Sequence, residues 1–209
     1  MTRNGQNYYC SNQMGRMILL GMEEIMGEGG VQRVLERACL ADRMAVPPPN
    51  DADFCIHYAD ISVLQQTMEQ LYGPLGGKGL AVRSGRASFR YGLRLFGKDT
   101  GLAELDYRLL PHKSKLSVGA GSLAALLSRI SDQSVQMRED DQAIYWSIER
   151  CPLCWGRRAD GPVCHLQVGF LEEFLFWASE GKFFSVVETE CAAAGAASCL
   201  FRIDKQPLD

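Results

Sequence analysis

Five of the eight cysteines of this chain lie close together in its last third. They follow the order Cys151-x2-Cys154-x9-Cys164 and then, with an interposed carboxylate, Glu188-x2-Cys191-x7-Cys199. Thiolate sulfur and carboxylate oxygen are zinc ligands, and a structural zinc site closes with four of them. In a reducing compartment, clustered thiols indicate metal binding or redox chemistry rather than disulfides. The spacing therefore predicts a metal site.

Three of these donors can meet at one end of a predicted β-hairpin. Glu188 and Cys191 flank two residues at the end of a predicted strand, where the chain can leave the sheet and wrap around an ion. Cys199 opens the returning strand after a turn rich in alanine. We therefore expect these three residues in any metal site.

The fourth ligand is open among Cys151, Cys154 and Cys164. Cys164 begins a predicted helix, whose positive dipole end stabilises a thiolate and lowers its pKa, so electrostatics favours this residue. Alternatively, Cys151 and Cys154 join two other cysteines in a four-cysteine zinc or iron–sulfur site. A third interpretation treats Cys191 and Cys199 as small buried packing residues, as free cysteines often are.

The elements that must position these donors alternate with a period of two and then of 3.6 residues. A hairpin is predicted from Val135 and Met137 through a polar turn at 139–142 to Ile144, Trp146 and Ile148. A helix over 164–179 and strands over 183–190 and 198–204 follow. The order ββαββ predicts an α+β fold with a four-stranded antiparallel sheet packed with helices.

The first part of the chain is predicted to be helical. The expected elements are helices over 12–27, 31–41, 60–72, 79–96 and 116–130, an extended loop at Pro47–Pro49, and a turn at Gly76–Gly79. Asp60 or Ser62 is the expected cap of the third helix. The length of 209 residues favours a single domain over 1–209, with a helical part over 12–130 and a sheet and metal-site part over 133–205.

Four arginines form a stripe on the predicted helix over 79–96. They are spaced three, four and four residues apart, at Arg83, Arg86, Arg90 and Arg94. A solvated face, or pairing with acidic residues of the same chain, is the expected role. The alternative is binding of carboxylates, such as the propionates of a tetrapyrrole.

Charge and hydropathy exclude several partners. A net charge of −3 gives no general field for nucleic acid. No segment reaches the roughly 20 apolar residues that span a bilayer, which predicts no membrane insertion. The first six residues do not resemble a secretory signal, so a cytoplasmic location is expected.

Several short segments carry a family resemblance. They are Tyr72-Gly-Pro-Leu-Gly-Gly-Lys-Gly-Leu80, Arg83-Ser-Gly-Arg-Ala-Ser-Phe89, Cys151-Pro-Leu-Cys154, Pro162-Val-Cys-His165, and Val187-Glu-Thr-Glu-Cys191 with Gly195 and Cys199. With these segments the chain resembles the 4-vinyl-reductase domain family, often labelled hydrocarbon-binding proteins. The likeness extends over about 13–207, and related groups include phenol-sensor domains of bacterial regulators and a subunit of Golgi tethering complexes.

The resemblance implies an antiparallel sheet packed with helices and pairing into homodimers. In the phenol sensors, zinc is held by a Cys, a Glu-x2-Cys and a Cys eight residues further on, which correspond to Cys164, Glu188, Cys191 and Cys199. The resemblance also implies an aromatic-lined ligand cavity. Its candidate contacts here are His112, Trp146, Phe89 and Tyr107, although Trp146 also suits ordinary core packing and His112 a solvated loop.

The resulting hypothesis is a cytoplasmic zinc-containing module that binds a small hydrophobic ligand, either aromatic or similar to a tetrapyrrole. The alternative is an enzyme or carrier in the reduction of a bacteriochlorophyll vinyl group, with Cys151 and Cys154 as a redox pair and no catalytic residue assigned. No Gly-x-Gly-x-x-Gly segment indicates a nicotinamide site. A third hypothesis is an interaction scaffold that pairs through the methionine side of the first helix, at Met14, Met17, Met22 and Met26.

Overall fold

The computed structural model describes residues 7–44 and 46–208. Two halves follow one another along the chain, the first mainly helical and the second mixed. The elements are β1 (Tyr9–Cys10), α1 (Asn12–Met26), α2 (Glu28–Arg37), β2 (Ile56–His57), α3 (Tyr58–Phe96), α4 (Leu105–Arg108), α5 (His112–Arg129), β3 (Ser134–Glu139), β4 (Ala143–Glu149), α6 (His165–Ala178), β5 (Phe184–Glu190), a 3-10 turn (Ala192–Ala194) and β6 (Cys199–Pro207).

The second half forms a four-stranded antiparallel sheet, which confirms the predicted α+β fold. The strand order is β3-β4-β6-β5, so the last strand of the chain lies in the interior of the sheet. Ile144, Trp146 and Ile148 alternate along β4 and are buried, because they face the helices. The helices α1, α3 and α6 pack on one another, and buried apolar side chains from Cys10 to Ile203 form one contiguous cluster.

Helices α3 and α6 approach each other through two glycines. A methyl group at Gly85 would overlap the carbonyl oxygen of Leu166, and one at Gly169 would overlap that of Val82. The two backbones are therefore in direct contact, which only glycine permits at such positions. This crossing fixes the beginning of α6 against the middle of α3.

The predicted break between two helices at residues 73–79 is partly wrong. Helix α3 continues through the segment, with a kink at Gly73, whose φ of 74° is followed by Pro74. Gly76–Gly79 is helical rather than a turn, and a Cβ at Gly77 would lie 2.6 Å from the backbone nitrogen of Glu69. The glycine there permits close packing between the two arms of the kinked helix.

The cap predicted for this helix is also wrong. The side chain of His57 accepts a hydrogen bond from the backbone nitrogen of Ala59 at 3.1 Å, in place of a cap by Asp60 or Ser62. Helix α2 begins and ends earlier than predicted, and α5 begins four residues earlier, at His112. The short pairing of β1 with β2 had no sequence signal, because each strand has only two residues.

Helix α1 lies in the core. The side chains of Met14, Met17 and Met22 are at most 5% exposed, whereas Met26 is half-buried. The hypothesis of a subunit-pairing surface on this methionine side is therefore wrong for three of its four residues. In the described part of the chain, none of the helices combines the length and the apolar character that crossing a membrane requires.

Candidate functional site

Six candidate metal donors converge at one end of the sheet, and all six are buried. Each comes from a different position along the second half of the chain. Cys151 and Cys154 lie in the loop after β4, Cys164 is the N-cap of α6, Glu188 lies on β5, Cys191 follows β5, and Cys199 begins β6. Cys199 pairs with Ile148 across β6 and β4, which brings the start of β6 beside the loop that holds Cys151.

Four of these residues form a tetrad of tetrahedral size. One donor atom from each of Cys164, Glu188, Cys191 and Cys199 lies within 4.8 Å of the others. The Sγ atom of Cys164 is 4.0 Å from that of Cys191 and 3.7 Å from that of Cys199, and the last two are 4.0 Å apart. Bonds of about 2.3 Å from a tetrahedral zinc ion place its sulfur ligands about 3.8 Å apart. The tetrad can therefore hold one metal ion.

Glu188 has one oxygen in use and one without a partner. Its Oε2 accepts a hydrogen bond of 2.7 Å from the backbone nitrogen of Cys164, at the beginning of α6. Its Oε1 is buried and has no hydrogen-bond partner within the described chain. Burial, with a contribution from the charge of Cys191, raises the pKa of Glu188 to about 8. A cation would satisfy this oxygen, because buried polar atoms almost always have a partner.

A second tetrad overlaps the first. Donor atoms of Cys151, Cys154, Cys164 and Cys199 also lie within 4.8 Å of one another. The Sγ atoms of Cys151 and Cys164 are 3.6 Å apart, and those of Cys154 and Cys199 are 3.4 Å apart. Cys164 and Cys199 thus belong to both tetrads, and the sequence alternatives for the fourth ligand lie side by side.

Contacts among the thiols decide their proton affinities. Hydrogen bonds with Cys151, and then with the other three cysteines, raise the pKa of Cys164. The expectation that the helix dipole lowers this pKa is therefore wrong, because contacts between the thiols dominate. Cys154 has a lowered pKa, since Cys151 and then Cys164 donate hydrogen bonds to its thiolate.

A buried glutamine of α3 holds the segment around Cys164. The side-chain amide of Gln65 donates a hydrogen bond to the carbonyl oxygen of Val163 and accepts one of 3.1 Å from the backbone nitrogen of Leu166. Gln65 is 1% exposed. Sequence reasoning missed this residue, because the contact joins positions about one hundred residues apart and has no local signal.

The four predicted ligand contacts occupy different environments. His112 is exposed at the first residue of α5, whereas Phe89, Tyr107 and Trp146 are buried. The rings of Phe89 and Tyr107 both contact Trp177, at centroid distances of 6.0 and 5.8 Å. Their contact with a ligand stays a prediction.

Polar atoms in the core indicate a different anchor point. The indole Nε1 of Trp146 and the amide Nε2 atoms of Gln133 and Gln167 are buried without a hydrogen-bond partner in the described chain. Both glutamines line a small cavity between α1, α5, β4 and α6, with a volume of about 20 Å³. Apolar side chains form most of its wall, and Met14 and Met17 are among them. Sequence reasoning missed the glutamines, since nothing in the local pattern marks them as buried.

The arginine stripe is largely paired within the chain. Arg86 contacts Glu172 at 2.8 Å, and Arg90 contacts Glu24 at 2.6 Å and Glu173 at 2.7 Å. The other two arginines of the stripe are exposed. Two of the four guanidinium groups therefore have the intramolecular partners that the first interpretation predicted.

Comparisons with solved structures show the fold of the chain. An H-NOX protein from K. algicida, in the Fe(II) unliganded state, is similar at 8% identity and a TM-score of 0.59, covering 94% of this chain and 96% of its own. A point mutant of T. Tengcongensis H-NOX is similar at 13% identity and a TM-score of 0.58, with coverages of 95% and 100%. The phenol-responsive sensory domain of the transcription activator PoxR, with phenol, is similar at 21% identity and a TM-score of 0.51, with coverages of 71% and 74%.

A search of the curated proteins finds no significant match. The family model of the 4-vinyl-reductase domain matches residues 144–205, a range that begins in β4 and ends in β6. All six candidate metal donors lie inside this range. The last third of the chain is therefore a 4-vinyl-reductase domain, which confirms the resemblance found in the sequence.

Proposed function

We propose that the protein is a small-molecule-binding module in which a zinc ion braces one end of the sheet beside an apolar ligand cavity. Cys164, Glu188, Cys191 and Cys199 would hold the ion. The observation that carries this proposal is the buried Oε1 of Glu188, which has no partner in the described chain and lies among three thiols at tetrahedral spacing. Four protein ligands leave no open position for water, so the zinc would be structural.

The close packing of the donors favours separate metal ions over an iron–sulfur cluster. In a cluster, the cysteine thiolates bind different iron atoms and surround the whole cluster, which separates them further than the ligands of one ion. Here the donors of each tetrad lie within 4.8 Å of one another. Sulfur ligands in a tetrahedral arrangement suit zinc.

The ligand cavity is supported by its unpartnered donors. An unsatisfied buried amide costs about 1–3 kcal/mol, so the Nε2 atoms of Gln133 and Gln167 favour a ligand that presents an oxygen acceptor. The remaining wall is mostly apolar, and a cavity of about 20 Å³ must enlarge to admit an aromatic ring. The flexible side chains of Met14 and Met17 allow such an adjustment. Phenol in PoxR and NO in the Fe(II)NO state of an H-NOX protein from S. oneidensis are small ligands held by proteins of similar fold.

The zinc assignment is tested by removing two ligands of the tetrad. The double variant Glu188→Gln with Cys191→Ala should lose one zinc ion per chain relative to the unaltered protein and should unfold at a lower urea concentration. The matched control is Cys39→Ser, an exposed cysteine outside the cluster, which should retain all zinc. Metal content by inductively coupled plasma mass spectrometry gives the answer, and full zinc retention in the double variant would refute the assignment.

The ligand assignment is tested with phenol as the probe in isothermal titration calorimetry. Replacing Gln167 with Leu removes one unpartnered donor and should weaken phenol binding roughly five- to tenfold, in proportion to one lost hydrogen bond. Gln136→Leu is the control, because Gln136 is exposed on β3. Equal phenol affinity of the two variants would contradict a role for Gln167.

The alternative function, reduction of a vinyl group with Cys151 and Cys154 as a redox pair, stays a prediction. Both thiols are buried, at 1% and 3% exposure, in contact with other cysteines of the cluster. Zinc protein is colourless, whereas an iron–sulfur enzyme would absorb visible light. The visible spectrum of freshly purified protein therefore separates the two functions.

A further inference from the structure

The two overlapping tetrads share one edge. Each contains the thiols of Cys164 and Cys199, whose Sγ atoms are 3.7 Å apart. Cys151 and Cys154 complete the tetrad on one side of this edge, and Glu188 and Cys191 complete it on the other side. Six donors arranged in this way can form two tetrahedra that share two corners.

We propose that the cluster holds two divalent ions of the zinc type, bridged by the thiolates of Cys164 and Cys199. The first ion is the one described under the proposed function, on which this inference rests. The second ion is bound by Cys151 and Cys154 together with the two bridging thiolates. Tetrahedra of zinc–sulfur size that share an edge of this length place the two ions about 3 Å apart.

The distances on the second side match those on the first. The contacts of 3.6 Å from Cys151 to Cys164 and of 3.4 Å from Cys154 to Cys199 are close to the edge of a zinc–sulfur tetrahedron, which is about 3.8 Å. A two-residue spacing such as that of Cys151 and Cys154 is typical of zinc ligands, because it lets one short turn present two sulfurs to one ion.

The second ion adds no net charge to the buried cluster. A single dication on the first tetrad leaves Cys151 and Cys154 as two protonated thiols. The second dication replaces those two protons, as metal binding to thiols generally does. Around the shared edge, the backbone nitrogen of Ala192 donates a hydrogen bond of 3.4 Å to the Sγ of Cys199. The N-terminus of α6, at Cys164, also favours negative charge there.

The second site also has an entry path. Cys151 and Cys154 line a groove of about 810 Å³ on the surface of the protein, whose other walls include Arg157 and the 3-10 turn at Ala192–Ala194. The backbone nitrogen of Ala159 donates a hydrogen bond of 3.0 Å to the carbonyl oxygen of Ala193, which joins the two walls. A metal ion can therefore reach the second site without unfolding of the sheet.

The number of ions per chain tests the proposal. Native mass spectrometry of the full chain, purified without chelator and saturated with zinc, should find two zinc ions. The double variant Cys151→Ala with Cys154→Ala should keep one, because the first tetrad is intact. A single ion in both proteins would overturn the second site and leave the proposed function standing. A single ion in the unaltered chain that the double variant loses would overturn both, since the ion would then lie in the four-cysteine tetrad.

Bridging is tested in the unaltered chain, so the result does not depend on the folding of a variant. Co²⁺ is added stepwise to metal-free protein and followed by electron paramagnetic resonance. The first equivalent should give a high-spin signal, and the second should diminish it, because thiolate bridges couple the two spins. A signal that doubles with the second equivalent would overturn the bridge, and a signal that stops growing after the first would overturn the second ion.

Discussion

Replacing Gly85 with Ala should destabilise the protein and disturb the metal centre together. The added methyl group would overlap the carbonyl oxygen of Leu166, which lies two residues after Cys164. Backbone atoms cannot rotate away as side chains do, so α3 and α6 must separate. Overpacking of this kind costs about 1–3 kcal/mol, and the backbone contact places the variant near the upper limit. For a protein of this size that loss lowers Tm by roughly 6–12 °C.

Gly79→Ala is the matched control, because Gly79 is exposed on the same helix and a Cβ there meets nothing within 4 Å. Alanine favours the helix over glycine by about 1 kcal/mol, so this variant should be as stable as the unaltered protein or more stable. Urea denaturation of both variants, each with its zinc content measured, makes the comparison. Equal urea midpoints for Gly85→Ala and Gly79→Ala would refute the direct backbone contact between α3 and α6.

Two further predictions concern the metal centre. A strong chelator at neutral pH should lower Tm by roughly 8–16 °C in differential scanning calorimetry, because a ligand at a thousandfold excess over its Kd contributes about 4 kcal/mol; an unchanged Tm after verified metal removal would contradict a bracing role. Gln65→Leu should lower the free energy of unfolding by about 2–4 kcal/mol and speed zinc transfer to a chromogenic chelator, because the groups that Gln65 pairs near Cys164 lose their partners. Gln32→Leu on the exposed face of α2 is its control and should change neither, and equal zinc-transfer rates in both variants would exclude a positioning role for Gln65.

The sheet half of the fold follows from local sequence patterns. Alternation of Ile144, Trp146 and Ile148 indicates a strand with one buried face, and the structure confirms it. Helix α6 was predicted over 164–179, and the structure gives His165–Ala178 with the two end residues as caps. Such elements are predictable, because their period is set by burial on one side. The strand order is different, since it depends on long-range pairing that no local period records.

The helical half shows where a local signal fails. Four residues rich in glycine at Gly76–Gly79 indicate a turn, but the structure uses Gly77 to let the kinked helix pack on the backbone of Glu69. Glycine permits both positive φ and close approach, and the sequence does not distinguish them. The same ambiguity hides Gly85 and Gly169, whose role depends entirely on the helix opposite.

The candidate site divides in a similar way. Cysteine spacing identified every thiol of the cluster, because few residue types bind metal and their positions along the chain are visible. It left open which tetrad forms, and the structure shows the reason: Cys164 and Cys199 belong to both. The ligand cavity was less accessible to prediction. Gln133 and Gln167 become candidates only when burial leaves their amides without partners in the described chain.

The ligand cavity and the metal cluster have a residue in common. Cys151 lies in the second tetrad and also lines the small cavity, followed along the same wall by Pro152 and Leu153. The cavity must enlarge to hold an aromatic ring, and movement of this wall shifts the sulfur of Cys151 relative to Cys164. If a metal ion fixes that sulfur, ligand binding and metal binding have a shared free energy, and each must alter the affinity of the other equally. A 4-vinyl-reductase domain with the additional Cys151 and Cys154 pair can thus connect occupancy of its cavity to its metal centre without a separate moving part.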